Sequence, residues 1–287
     1  MRAKWLVVFV LFGTSLSAQI AHPKASAFSK ITQEVGLTSV SVAYSRPSAQ
    51  GRIIFGDLVP YGRIWRVGAN ESTKLTVDSE ITVLGNTLPK GTYALYAFPY
   101  KEKWEIVFHY NTGHWGDGRK NYNPEEDVFR ITVLPEKTEA YHETFLISFE
   151  NVHHNGMEMT LNWAHTKIVV PMTVATHAKM LVQIETAITE KPTAETYYQA
   201  ARYLQEQDVD HERALGYVNT ALQLEGDTYY FYRVRSLLQA AMHDYEAAIS
   251  SAKESLALAE KEGKDEFVRM NQKNIFRWRR QLQKEPK

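Results

Sequence analysis

Met157-Glu158-Met159-Thr160-Leu161-Asn162-Trp163 places an apolar side chain at every second position along seven residues. Side chains alternate between the two faces of a strand, so this spacing predicts a half-buried β-strand. The period recurs upstream at Phe145, Ile147 and Phe149, at Trp104, Ile106, Phe108 and Tyr110, and at Val40, Val42 and Tyr44. Turn signals separate these runs: Gly85-Asn86, Leu88-Pro89-Lys90-Gly91, Pro99, Asn111-Thr112-Gly113 and Asn155-Gly156. With Lys74–Asp78, Ile81–Leu84, Thr92–Phe98 and Asp127–Leu134 added, about eight short strands are expected with no helix among them. The expectation is an all-β antiparallel sandwich over residues 19–172.

After Pro171 the composition turns to Ala, Leu, Gln, Glu and Lys, and helical spacing takes over. Met180, Ala214 and Ala248 stand 34 apart, and four further columns keep that offset, among them Ile184, Val218, Ala252 and Ala187, Ala221, Ser255. Such a period, with small residues at the helix crossings and aromatic residues in the preceding helix, resembles the tetratricopeptide repeat. Asp244-Tyr245-Glu246-Ala247-Ala248-Ile249 is similar to that family's turn into its second helix. Two features depart from it: Ala201 or Ser236 replaces the usual Gly, and the closing proline is missing after Leu224 and Leu258. Residues 173–287 are therefore expected to form an all-α domain of tetratricopeptide-like helical hairpins, one unpaired helix first and a capping helix last. The resemblance implies a protein or peptide partner held on a concave face.

The 287 residues are 44% apolar and 23% charged, the make-up of a globular chain with material for two cores. The 33 basic residues equal the 33 acidic ones, and the balance is local: 15 against 16 in residues 19–172, and 16 against 17 in residues 173–287. Neither half carries the basic excess of a nucleic-acid binder. The absence of cysteine excludes disulfides, zinc–thiolate sites and thiol nucleophiles. Residues 1–18 read as a secretory signal peptide, with Arg2 and Lys4, an apolar run from Trp5 to Phe12, and a small-residue exit at Thr14-Ser15-Leu16-Ser17-Ala18. Cleavage near Ala18 is expected to leave no transmembrane anchor and a periplasmic or secreted bacterial protein.

The least regular stretch runs from Tyr44-Ser45-Arg46-Pro47 through Tyr61-Gly62-Arg63-Ile64-Trp65-Arg66-Val67-Gly68-Ala69-Asn70-Glu71, with four Gly and two Pro. Together with Leu88-Pro89-Lys90-Gly91-Thr92-Tyr93, the Trp104 strand, Asn111-Thr112-Gly113-His114-Trp115-Gly116 and the Trp163 strand, it closely resembles an exported bacterial family known as domain of unknown function 2911, over about residues 20–170. The resemblance brings no established activity and no catalytic residues.

The residues themselves offer candidates for ligand binding. Arg46, Arg63, Arg66, Asn70 and Glu71 combine guanidinium forks, an amide and a carboxylate, a set able to grip a carboxylate, a phosphate or a sugar. Alternatively, Arg66 or Arg46 pairs with Glu71 and pins the long connection. Trp115, between glycine-containing turns, is either a stacking platform or a loop anchor. His109, His114 and Asp117 are weak metal candidates, since their spacing matches no zinc signature; no metal and no cofactor is expected. Gly56, Gly62 and Gly68 lack the Gly-Lys-Ser/Thr of a phosphate loop. A basic stripe on the last helix, from Arg269 to Lys284, reads as a solvated outer face. The expectation is an exported, non-catalytic binding or scaffold protein that takes a glycan or small anionic ligand on the sandwich and a peptide on the helices. The alternative is a cell-envelope hydrolase acting on a polar or glycan substrate, with Glu71 or His114 as acid or base and Arg66 orienting an anionic group.

Overall fold

The computed structural model describes residues 22–116 and 122–283. The signal segment read at residues 1–18, and Asp117, lie outside them. The chain divides into two compact units between Thr176 and His177.

The first unit holds ten strands: β1 (Ala27–Val35), β2 (Thr38–Arg46), β3 (Thr73–Val77), β4 (Ile81–Val83), β5 (Asn86–Leu88), β6 (Gly91–Pro99), β7 (Trp104–His109), β8 (Asp127–Val133), β9 (Glu136–His153) and β10 (Gly156–Val174). They form a six-stranded sheet, β1-β2-β3-β6-β7-β8, and a four-stranded sheet, β5-β4-β10-β9, paired antiparallel throughout. The inward faces of both meet in one core, to which Val40, Val42, Leu75, Trp104, Ile106 and Phe108 come from the larger sheet and Phe145, Ile147, Met159 and Trp163 from the smaller. The alternating runs read in the sequence are those core faces, except that Tyr110 lies past the end of β7 and is exposed.

Two expectations needed revision. β1 was not foreseen, and β9 and β10 run to 18 and 19 residues where short strands were expected. Their pairing shifts register around Asn162, Ala164 and Thr166, so the alternation breaks although the hairpin continues.

The connection from Pro47 to Ser72 closes the sandwich. Ala49, Ile54, Val59, Trp65 and Val67 enter the main core, and Phe55 makes an edge contact with the Trp104 ring at 4.7 Å. Its backbone is satisfied along the way, as a connection without its own sheet must be. Trp65 exchanges two 2.8 Å hydrogen bonds with Ala97, continuing beside β6 the ladder that β3 takes up at Thr73, opposite Leu95. Residues 66–72 make an excursion between those two points, closed by the Thr73 N–H on the Arg66 carbonyl at 3.2 Å.

The second unit contains most of α1 (Thr176–Glu190), then α2 (Ala194–Glu206), α3 (His211–Glu225), α4 (Tyr229–Ala241), α5 (Tyr245–Lys261) and α6 (Asp265–Leu282). Thr193, Thr228 and Asp244 cap α2, α4 and α5 through their side-chain oxygens. The columns spaced by 34 supply the buried face of α3 and α5, where Ala214, Val218, Ala221, Ala248, Ala252 and Ser255 are nearly inaccessible. Small residues there let neighbouring helices approach closely. No helix of the described residues is long and apolar enough to cross a membrane.

Candidate functional site

The excursion 66–72 is held in an unusual backbone shape. Val67, a β-branched residue, has φ 53°, Gly68 has φ 150° and Asn70 has φ 61°. A side chain on Gly68 would meet the Ser45 carbonyl oxygen at 2.9 Å, so the close approach to β2 requires glycine there. The Thr73 hydroxyl donates to the Val67 carbonyl at 2.5 Å, and the Asn70 amide donates to Ser45 Oγ at 3.0 Å and to the Ser26 carbonyl at 3.3 Å. The second quoted loop docks on this ridge through its backbone: Ser72 N–H to the His114 carbonyl at 3.2 Å, Gly116 N–H to the Asn70 carbonyl at 3.1 Å, and a bridge between Glu71 and Trp115.

Two clefts flank the ridge. One, of about 340 Å³, is lined by Arg52, Trp65, Arg66, Gly68 and Trp163 together with Ser26. The other, of about 480 Å³, lies over the outer face of β1, β2 and β3, with Ala43 and Ser45 among its lining residues and Lys24, Lys30, Lys74 and Glu71 around it. The small side chains at positions 43 and 45 leave room there, and three ammonium groups face one carboxylate.

The candidate residues are therefore divided, not gathered. Arg66 lines the first cleft, while Asn70 and Glu71 line the second. Arg46 donates through Nε to the Phe145 carbonyl at 2.9 Å and so ties β2 to β9. Arg63 is exposed on the turn before Trp65, and the Trp115 ring is 67% exposed. The expected pairing of Glu71 with Arg66 or Arg46 is corrected: the Glu71 carboxylate is exposed and bonds Lys74 Nζ at 2.6 Å. Lys74 holds it below the usual carboxylate range, first by that hydrogen bond and then by its charge. The partner three residues on is the one that the tight excursion turns toward it.

His114 and His109 belong to a second small core on the outer face of the larger sheet, around Ala94, Tyr96 and Val107. His114 Nδ1 lies 2.6 Å from the Tyr96 hydroxyl. Burial, and then the neighbouring His109, push the His114 pKa down, while burial pushes the Tyr96 phenol up, so both partners are neutral near pH 7. His109 is fully buried; its Nδ1 accepts from the Asn111 N–H at 3.1 Å, which leaves Nε2 to donate to the Asn123 carbonyl at 3.1 Å. Both of its nitrogens are thus engaged within the fold, unlike those of a metal ligand. No group of three metal-ligating side chains is found among the described residues. Tyr122 completes the cluster, donating to Asp127 at 2.8 Å and accepting from Arg130 at 2.6 Å. Burial, reinforced by Asp127, raises its pKa strongly.

Sequence reasoning passed over Lys24, Lys30 and Lys74 because exposed lysines carry no pattern of their own. A signal did exist for Lys30 and Lys74. They stand in register across Ala43, which pairs with both, so the alternation of β1, β2 and β3 places them on one face.

No curated protein matches the chain. A family model described as a protein of unknown function, DUF2911, matches residues 26–172, the span that contains the ridge and all but the last two residues of the sandwich strands. The chain belongs to the DUF2911 family, joined here to a helical unit that the family model does not include.

Proposed function

We propose that this is an exported, non-catalytic binding protein whose sandwich takes an anionic or glycan ligand and whose tetratricopeptide-like helices hold a peptide. The observation that carries the reading is a groove of about 320 Å³ lined by α2, α4 and α6, with Tyr198, Tyr230 and Phe267 among its walls. These are the first helices of successive hairpins and the capping helix, the elements that line the concave side of a stacked-hairpin array. On the sandwich, the lysines around the larger cleft suit a carboxylate or phosphate.

The separation of Glu71 and His114 supports binding over hydrolysis. Glu71 faces solvent beside Lys74, whereas His114 Nδ1 is engaged by Tyr96 in a buried cluster. An acid–base pair needs both groups within reach of one substrate atom. Export rests on the signal segment, and terminal sequencing of the mature protein should begin near Gln19.

The groove reading is tested with a photoreactive residue at Gln205, which lines the groove, and a control at Glu260, exposed on α5. A partner cross-linked from 205 and not from 260 is expected. Cross-links confined to the β unit would overturn it.

A further inference from the structure

Among the groove residues, Arg233 is the one whose surroundings are incomplete. Its guanidinium is half-buried on α4, one nitrogen donating to Asn271 Oδ1 at 3.3 Å and the fork standing 5.9 Å from the centre of the Phe267 ring. A guanidinium carries five N–H donors, and a desolvated one ordinarily has a carboxylate beside it. Among the ion pairs of the described residues none includes Arg233, although its groove neighbour Arg202 is paired with Glu206 at 2.7 Å. Burial pushes the Arg233 pKa down and the charge of Glu266, which makes no ion pair with it, offsets this only in part, the mark of a cation that has lost water without a full replacement.

A second cation extends the pattern. Leu237 lines both this groove and an adjoining hollow of about 350 Å³, on whose rim stands Arg277 beside Tyr245 and Trp278. Arg277 donates to Asn274 Oδ1 at 3.2 Å and lies 5.8 Å from the Trp278 ring, again with no carboxylate. Two guanidinium groups thus stand along an apolar and aromatic track while the groove's own carboxylate, Glu206, is already engaged.

We propose that the groove between α2, α4 and α6 binds an acidic peptide segment, with Arg233 holding one of its carboxylates and Leu237, Phe267 and Met270 taking its apolar side chains. This deepens the groove reading above and rests on it. Desolvation already suffered by Arg233 in the free protein is a cost that an incoming carboxylate does not incur again, and a bidentate bond in such a place is strong.

The test uses the full mature chain and two short fluorescent peptides carrying a photo-cross-linker, one with Glu between Leu and Phe residues and its twin with Gln in place of Glu. The Glu peptide is expected to bind roughly tenfold or more tightly than the twin, as a charge-assisted bond implies. Arg233→Met is expected to abolish that preference while leaving the melting temperature unchanged or raised, since it removes a stripped cation, and Arg233→Lys is expected to keep part of it. Equal binding of the twins, with cross-links in α2, α4 or α6, overturns the acidic partner and leaves the groove standing. Cross-links only within residues 22–174, or no binding of either peptide, overturn the groove reading itself. A melting temperature clearly lowered by Arg233→Met would show a structural arginine and overturn the inference.

Discussion

If the ridge 66–72 is held by Asn70, then Asn70→Ala must loosen the sandwich while Glu71→Ala, one residue away, must not. The Asn70 amide gives a 3.0 Å bond to the buried Ser45 hydroxyl and a longer 3.3 Å bond to the Ser26 carbonyl. At ~0.5–1.5 kcal/mol net per bond, with the longer one at the low end, their loss costs about 1–2 kcal/mol. Asn70 also sits at φ 61°, where alanine costs roughly 1 kcal/mol more than asparagine because both crowd the carbonyl with Cβ and only asparagine offsets it with local polar interactions. The expected total is about 2–3 kcal/mol. Asn70→Gly removes the bonds but accepts the dihedral, so it should be up to about 1 kcal/mol less damaging than Asn70→Ala after its greater unfolded-state entropy is counted. Glu71→Ala loses an exposed ion pair and should cost about 1 kcal/mol or less, not the ~3–5 of an orphaned buried charge. Urea unfolding followed by tryptophan emission in a Trp278→Phe background reports on the β unit, whose Trp65, Trp104 and Trp163 are buried. Circular dichroism of the helices serves as an internal control, because two units need not unfold together. An Asn70→Ala protein within about 0.5 kcal/mol of the parent, the additivity error of such measurements, would refute the reasoning; so would a Glu71→Ala loss of equal size.

Gly68→Ala should destabilise the β unit by about 2–3 kcal/mol, from strain at φ 150° and a Cβ only 2.9 Å from the Ser45 carbonyl, and a melting curve matching the parent would remove the close-approach argument. His114, depressed by burial, binds its proton less readily folded than unfolded, so β-unit stability should be constant above its ordinary 6.5 and fall as the pH drops below it. His114→Phe should flatten that part of the profile, which denaturation at a series of pH values measures. Tyr122→Phe, which removes the donor to Asp127 and the acceptor for Arg130, should cost about 1–2 kcal/mol by urea unfolding, and no change would mean that Asp127 and Arg130 hold the cluster alone.

The parts of the fold legible in the sequence were those where burial is one-sided and regular. Val40, Val42 and Tyr44 alternate because one face of β2 lies in the main core, and the columns spaced by 34 repeat because each second helix buries the same small face. β1 escaped because it is an edge strand whose inward positions are only half-buried, and two of them, Ser29 and Gln33, are polar, so its burial alternates without writing an apolar alternation into the sequence. The buried role of His109 was illegible for the opposite reason. Its strand is covered on both faces, and a polar residue on the second face signals solvent until the buried bonds to Asn111 and Asn123 are seen.

The candidate site was legible as a motif and not as a site, and the backbone explains why. Residues 66–72 and 111–116 stood out separately in the sequence, and the structure joins them through main-chain bonds between Ser72 and His114 and between Gly116 and Asn70. Val67 and Asn70 at positive φ cost of the order of 1–3 kcal/mol each, so the excursion persists only because β2, the 111–116 loop and the Ser26 carbonyl grip it. The motif's side chains follow from that requirement: glycine where β2 comes close, asparagine where the left-handed residue must also bond its neighbours, and Arg46 where β2 must be tied to β9. Residues fixed by shape are not free to be chosen for a ligand. Under the proposed binding role, ligand contact would fall to the walls of the clefts that the ridge separates, lined by Arg66 on one side and by Lys24, Lys30 and Lys74 on the other.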